Sequence, residues 1–158
     1  MAVPQLKVEG LEELEHDLTV RAIDVIRNAA ATQMEIEAEQ LVDHMQAAAP
    51  VYSGPETHRS DGTPIIKGAL RASITWHWTG NADRQFQSRG TGQFRRNSLR
   101  LVVVAGGDQA FYVRWVEFGT PKWAGNPFFY VTYRNNRRGM QSRITRAITA
   151  SIKRINDL

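Results

Sequence analysis

Cysteine is absent from the 158 residues, which excludes disulfides and thiolate metal sites and suits a reducing compartment. No apolar run approaches the roughly 20 residues of a membrane span. The N-terminus lacks the charged-then-apolar pattern of a secretory signal. The expectation is a soluble protein used without export and without membrane contact. Histidine is sparse. His16, His44, His58 and His77 include no pair at helical metal spacing and no His-Glu-x-x-His. His16 and His44 fall among acidic helical positions and read as solvated, and His77 reads as the polar side of a strand. His58 stands near Ser60 and Asp61, but neighbours in one loop do not show the convergence that a catalytic triad needs. No strained nucleophile turn accompanies them. Gly90-Thr91-Gly92 and Gly106-Gly107 lack the lysine and the spacing of a phosphate loop and read as turns. No catalytic residue, metal or cofactor is therefore expected.

The length suits one domain over 1–158 that buries roughly 68–70% of its unfolded surface. The net charge of +4 hides an uneven distribution. Residues 1–48 hold ten acids against three bases, a net of −7; residues 49–158 hold seventeen bases against six acids, a net of +11. Such asymmetry permits nucleic-acid contact by the basic part. It equally permits copies to pack acidic flank against basic flank.

Proline and glycine leave a long gap between Gly10 and Pro50. Within it Leu11, Leu14, Leu18, Ala22, Ile26, Ala30, Met34, Ala38, Leu41, Met45 and Ala48 recur at steps of three and four, the stripe of an amphipathic helix over 10–49. The acids occupy the opposite faces. Forty helical residues would extend roughly 60 Å, so either a bend or an exposed, partner-binding half is expected. Asn28 to Thr32 reads as the weakest-packing part. Ser53-Gly54-Pro55 and Asp61-Gly62-Thr63-Pro64 mark a long loop up to Lys67. Ile74, Trp76 and Trp78 alternate with Thr75, His77 and Thr79, which predicts a half-buried strand. Leu99–Ala105 is a nearly continuous apolar run, predicted as a second strand central to its sheet. Between the strands, residues 82–97 are basic and contain glycine, and a loop that orders only in an assembly is expected.

The most aromatic stretch is Phe111–Tyr130. Ala110–Phe118 fits both strand and helix spacing; Gly119 as the C-terminal stop with Pro121 beyond tips it to a short helix. Asn126 then reads as an N-cap with Pro127 at the first helical position. The last helix, 126–156, is expected to be kinked or interrupted around 135–139. Its apolar stripe is Met140, Ile144, Ala147, Ile148, Ser151, Ile152 and Ile155, and its other face is basic. A cluster this apolar belongs in the core or against a partner. It contains one carboxylate, Glu117, which is costly to bury unless answered. A buried arginine or the backbone N–H groups of 119–122 are the expected answer; a catalytic base would need an acidic partner that the sequence does not place nearby. The fold class is therefore α+β: a long N-terminal helix, a small mainly antiparallel sheet with a long basic loop, and a basic C-terminal helix.

Arg84, Arg89, Arg95 and Arg96, with Phe86 and Phe94 interleaved, are candidates for DNA or partner contact. Arg143 and Arg146 are further candidates for DNA or partner contact, and with Arg154 they are candidates to pair the acidic helix 10–48 with an adjacent copy or another neck protein. Three features in order then carry a resemblance: Ala49-Pro50-Val51 closing the long helix; Gly68-Ala69-Leu70-Arg71-Ala72-Ser73-Ile74; and Tyr112 to Val116-Glu117-Phe118-Gly119-Thr120 followed by Asn126-Pro127-Phe128-Phe129. In this the chain resembles the tail-completion, or neck, family of long-tailed bacteriophages, the lambda Z-like minor tail components. It departs from the family pattern in the insertion 52–67 and in Lys67-Gly68 where Thr-Gly is usual. The resemblance implies a non-enzymatic virion protein of the head–tail junction, assembled in the host cytoplasm, that forms or decorates a ring. The partners it implies are copies of itself in a ring, whose copy number the resemblance does not give and for which a hexamer is expected, and connector, tail-terminator or tail-tube proteins, with DNA passing through the lumen. Glu117, Phe118, Gly119, Thr120, Trp123, Pro127 and Phe128 would then be interface or anchor residues. Two other classes fit the composition less fully: a freestanding basic DNA-binding protein, and a hydrolase using His58 or Glu117.

Overall fold

In the computed structural model, residues 11–51, 66–78 and 99–157 are described, with the backbone alone for 11–15, 17 and 18. Helix α1 spans Leu11–Ala48, α2 Ala69–Ala72, strand β1 Thr75–Trp78 and β2 Leu101–Val104. A 3₁₀ turn at Asp108–Ala110 leads into α3, Val113–Phe118, and then α4, Phe129–Asn156. The architecture is α+β and mostly helical. The chain thus has the long first helix, the small antiparallel sheet and the basic closing helix that its pattern predicts.

Helix α1 runs its 38 residues as one helix. Asn28–Thr32 is not a weak point, because Ala30 and Ala31 are buried. Their small side chains let another backbone come close, which is a packing asset where a second helix lies alongside. That helix is α4. Its first residues join Met45 and Ala49 in the core through Phe128, while Arg143 reaches Glu37. The two helices are therefore antiparallel. Helix α4 also runs unbroken through 135–139. Gly139 sits within it where a Cβ would stand 3.1 Å from the Arg143 guanidinium. The glycine leaves room for that side chain to lie back along the helix toward Glu37.

The core is Leu41, Val42, Met45, Ala49, Leu70, Ile74, Ala110 and Phe128. It sits at the C-terminal end of α1, where every other element converges. Leu70 and Ile74 explain the Gly68–Ile74 motif: they fill the core, and Gly68 takes φ 80° to begin the turn of α2. Arg71 Nε donates to the Ala49 carbonyl at 3.0 Å, placing a cation on the carbonyl end of α1 where the helix dipole favours it.

The sheet has two antiparallel strands among the described residues, with Trp76 opposite Val103 and His77 opposite Val102. Leu99–Ala105 is thus not central to a wider sheet there; β2 is half-buried throughout. Trp76 Nε1 donates to Glu39 and Trp78 Nε1 to Glu35 at 2.8 Å. The match is metrical. Two strand residues advance about 6.6 Å, and four helical residues advance about 6.0 Å, so alternate indoles meet carboxylates one turn apart. His77 is a correction: it is buried, not on a solvated face, and its Nδ1 has no hydrogen-bond partner among the described residues.

Candidate interaction surface

Backbone geometry first builds the segment after α3. Gly119 N–H donates to the Trp115 carbonyl at 2.8 Å, ending the helix. Thr120 and Trp123 then exchange backbone hydrogen bonds, Thr120 N–H to Trp123 O at 2.7 Å and Trp123 N–H to Thr120 O at 3.1 Å. Pro121 and Lys122 form the tip of this turn, where proline's fixed φ is suited to the first central position. Asn126 N–H returns to the Val116 carbonyl at 2.7 Å. The loop is closed at both ends. Gly119 (φ 76°) and Gly125 (φ 78°) lie so close that a Cβ on Gly125 would be 2.7 Å from the Gly119 nitrogen.

Glu117, 7% exposed, is answered by this arrangement. Its Oε2 accepts from the backbone N–H of Phe128 and Phe129, both at 2.9 Å, and its Oε1 from Tyr130 N–H at 3.0 Å. Neither a buried arginine nor the 119–122 backbone is the partner. These three N–H groups belong to the start of α4, where donors have no carbonyl one turn back. Helix α4 begins at Phe129 with no side-chain cap of its own. Asn126 and Pro127 are therefore not its cap and first residue; a carboxylate from α3 does the capping. The charge also lies where the helix dipole favours an anion. Both Glu117 oxygens are thus committed to the backbone that begins α4.

The surrounding aromatics divide. Phe128 is 2% exposed and in the core, while Trp115 (49%), Phe118 (66%), Trp123 (49%) and Tyr130 (46%) face outward. Phe111 is half exposed too, and its ring meets Trp115 edge-on at 5.5 Å. Phe118 and Tyr130 stand 5.8 Å apart. Both help line a pit of about 250 Å³, together with Val104, Ala105, Val113, Arg114, Glu117 and Phe129. A larger groove of about 490 Å³ runs beside it between α1, β2 and α4, lined by Leu41, Leu101, Tyr133, Met140 and Ile144 among others. Exposed aromatic surface on this scale is characteristic of a surface that meets a partner.

The basic candidates separate just as clearly. Arg143 Nε and Nη2 each donate to Glu37 at 2.6 Å, a fork-to-carboxylate pair. Glu37 is 1% exposed and also accepts from Gln33 Nε2 at 2.8 Å. The Arg143 hydrogen bond holds the Glu37 carboxyl below its usual pKa, against burial, with help from Gln33 and from the charges of Arg143 and Arg146. Arg143 is thus paired inside its own chain, with its side chain still 40% exposed. Arg146 and Arg154 remain exposed. Arg84, Arg89, Arg95, Arg96 and His58 lie outside the described residues, as does the expectation for 82–97. His16 and His44 are exposed, as solvated helix positions should be. The described residues contain no group of acids and histidines that could hold a metal ion, and no helix long and apolar enough to cross a membrane.

Sequence reasoning missed Glu37 as a buried ion-pair member, and its partner 106 positions away gives no local signal. Gly139, one turn before Arg143, was the trace available. Neither a curated protein nor a solved structure matches the chain. A family model does, over residues 12–119, from α1 through α3 to the glycine that ends it; its description is "Bacteriophage HK97-gp10, putative tail-component", and the chain belongs to that family of phage tail components.

Proposed function

We propose that this tail component works at the head–tail junction, where copies of the chain assemble into a ring, a hexamer, that completes the tail and joins it to the DNA-filled head. The observation that carries the reading is the outward-facing aromatic surface of Trp115, Phe118, Trp123 and Tyr130. It is held on a backbone that Glu117 fixes with three hydrogen bonds. A surface fixed in the free subunit loses little entropy on docking. In this reading Phe118, Gly119, Thr120 and Trp123 meet the neighbouring subunit, while Glu117, Pro127 and Phe128 anchor them. Connector, tail-terminator or tail-tube proteins stack above and below. DNA crosses the lumen by contact with its backbone alone, past basic side chains that read no sequence. The role is structural, without catalysis or cofactor.

Negative-stain electron microscopy of the purified protein, alone and mixed with tail tubes, tests the reading. Rings in solution or a new ring at the tube end are expected. A protein that stays monomeric in both and instead binds DNA with steep salt dependence would be a freestanding DNA-binding protein.

A further inference from the structure

Among the described elements, α1 is longer than α4, the helix beside it. Glu37 lies level with Arg143 across the antiparallel pair, so Asn156 at the end of α4 falls level with about residue 24, given the common rise of ~1.5 Å per residue. The first turns of α1 therefore project roughly 20 Å beyond α4 as an arm. On that arm Val20 (43% exposed) and Ile23 (41%) are outward-facing aliphatic residues three apart, on one helix face. They sit in acidic company: residues 11–27 hold five acids and two bases.

The far end of the molecule is its complement. The pit lined by Phe118 and Tyr130 has Val104, Ala105 and Val113 among its walls and Arg114 on its lining. Residues 108–138, which supply most of its lining, hold five bases and two acids, and one of those acids is the buried Glu117. Arm and pit stand toward opposite ends of the one continuous helix α1, separated by roughly 35 Å along it. The arm of a chain cannot reach its own pit.

We infer that the α1 arm of one copy docks in the Phe118–Tyr130 pit of the next, Val20 and Ile23 entering the pit and the acidic flanks meeting its basic surround. The inference deepens the ring reading and rests on it. The contact is heterologous, joining two different surfaces, and repetition of one such contact closes into a ring when the rotation allows. It uses the helix-in-groove mode, in which an amphipathic helix presents aliphatic anchors at helical spacing. Charge complementarity fixes the direction, since two arms or two pits repel each other.

Two variants of the full chain test it, with size read by light scattering and folding by circular dichroism. One carries Val20→Gln and Ile23→Gln on the arm; the other carries Phe118→Ser at the pit. All three changed side chains are exposed, so both variants keep the wild-type fold. Each alone loses self-association by tenfold or more, because each lacks one half of the contact. Mixed in equal amounts they form dimers and stop there, because the intact pit of the first takes the intact arm of the second. An arm variant that still assembles like wild type overturns the inference and leaves the ring reading standing on another contact. A wild-type chain that never self-associates, even on tail tubes, overturns the ring reading and this inference with it. Should Phe118→Ser misfold, Arg114→Glu at the pit lining replaces it, with the same outcomes.

Discussion

Glu117 shows how one side chain can join two helices through backbone groups alone. An N-cap residue ordinarily supplies the oxygen that the first N–H groups of a helix need. Phe128 stands at that position in α4 and has none to give. The carboxylate of Glu117 reaches in from α3 and accepts from three consecutive N–H groups. In Glu117→Gln one acceptor oxygen becomes an NH₂ that faces donors. The loss is about 1–3 kcal/mol, the range for a charged hydrogen bond. A lowered melting temperature at neutral pH is the expected result, and an unchanged one would show that water serves these N–H groups equally well. Gly119 makes a parallel case. A Cβ there would lie 2.5 Å from the Trp123 carbonyl oxygen, and the backbone holds φ 76°. Gly119→Ala should cost more than about 1 kcal/mol, with tryptophan fluorescence reporting the displaced Trp123 turn.

Between elements, α1 and α4 are joined at mid-length by an asymmetric ion pair. Glu37 is buried at 1% exposure, whereas the Arg143 side chain is 40% exposed. Removing the acid lets the arginine turn to water; removing the arginine leaves a buried carboxylate without its main partner, the costlier error. Arg143→Ala should therefore lower the melting temperature more than Glu37→Gln, and the reverse order would refute the argument. The pH dependence follows from the lowered Glu37 pKa. A carboxyl depressed in the folded state contributes stability above its unfolded value, near 4.5, and loses it as pH falls through the folded value. Wild-type protein should lose melting temperature below about pH 4.5 by more than Glu37→Gln does. The same pair shows what could be read in advance. Periodicity announced both helices, and glycine and proline announced where α3 stops, because those signals are local. The local pattern places the cap of α4 at Asn126, whereas the oxygens that accept from its first N–H groups lie on another element. The burial of Glu37 and of His77 was misread for a related reason. A helical or alternating pattern assigns a face, but what covers that face is decided by other parts of the chain.

At the scale of the whole molecule, charge is divided between the two long helices and the aromatic end. The acidic half of the sequence forms α1, and the basic half forms α4 and the aromatic end. Part of that opposition is consumed inside the subunit, since Glu37 and Arg143 pair with each other. The remainder is available between molecules: Arg114, Lys122, Arg134, Arg137 and Arg138 are exposed at the aromatic end. Exposed charges of this kind steer encounter and fix register more than they add affinity. Their reach is about 8 Å at physiological ionic strength. The part-buried Glu37–Arg143 contact is screened less. Raising salt should therefore separate two processes that share the same residue types. Self-association, followed by light scattering after dilution, should slow several-fold as salt rises toward about 1 M, where the screening length is near 3 Å. The subunit's melting temperature should hardly move. Arg134→Glu with Arg137→Glu should slow association at low salt and remove most of its salt dependence, leaving the fold intact. If the wild-type rate is flat across that range, the apolar contacts alone direct the encounter. The opposed charges of the two ends would then serve only to keep each subunit soluble.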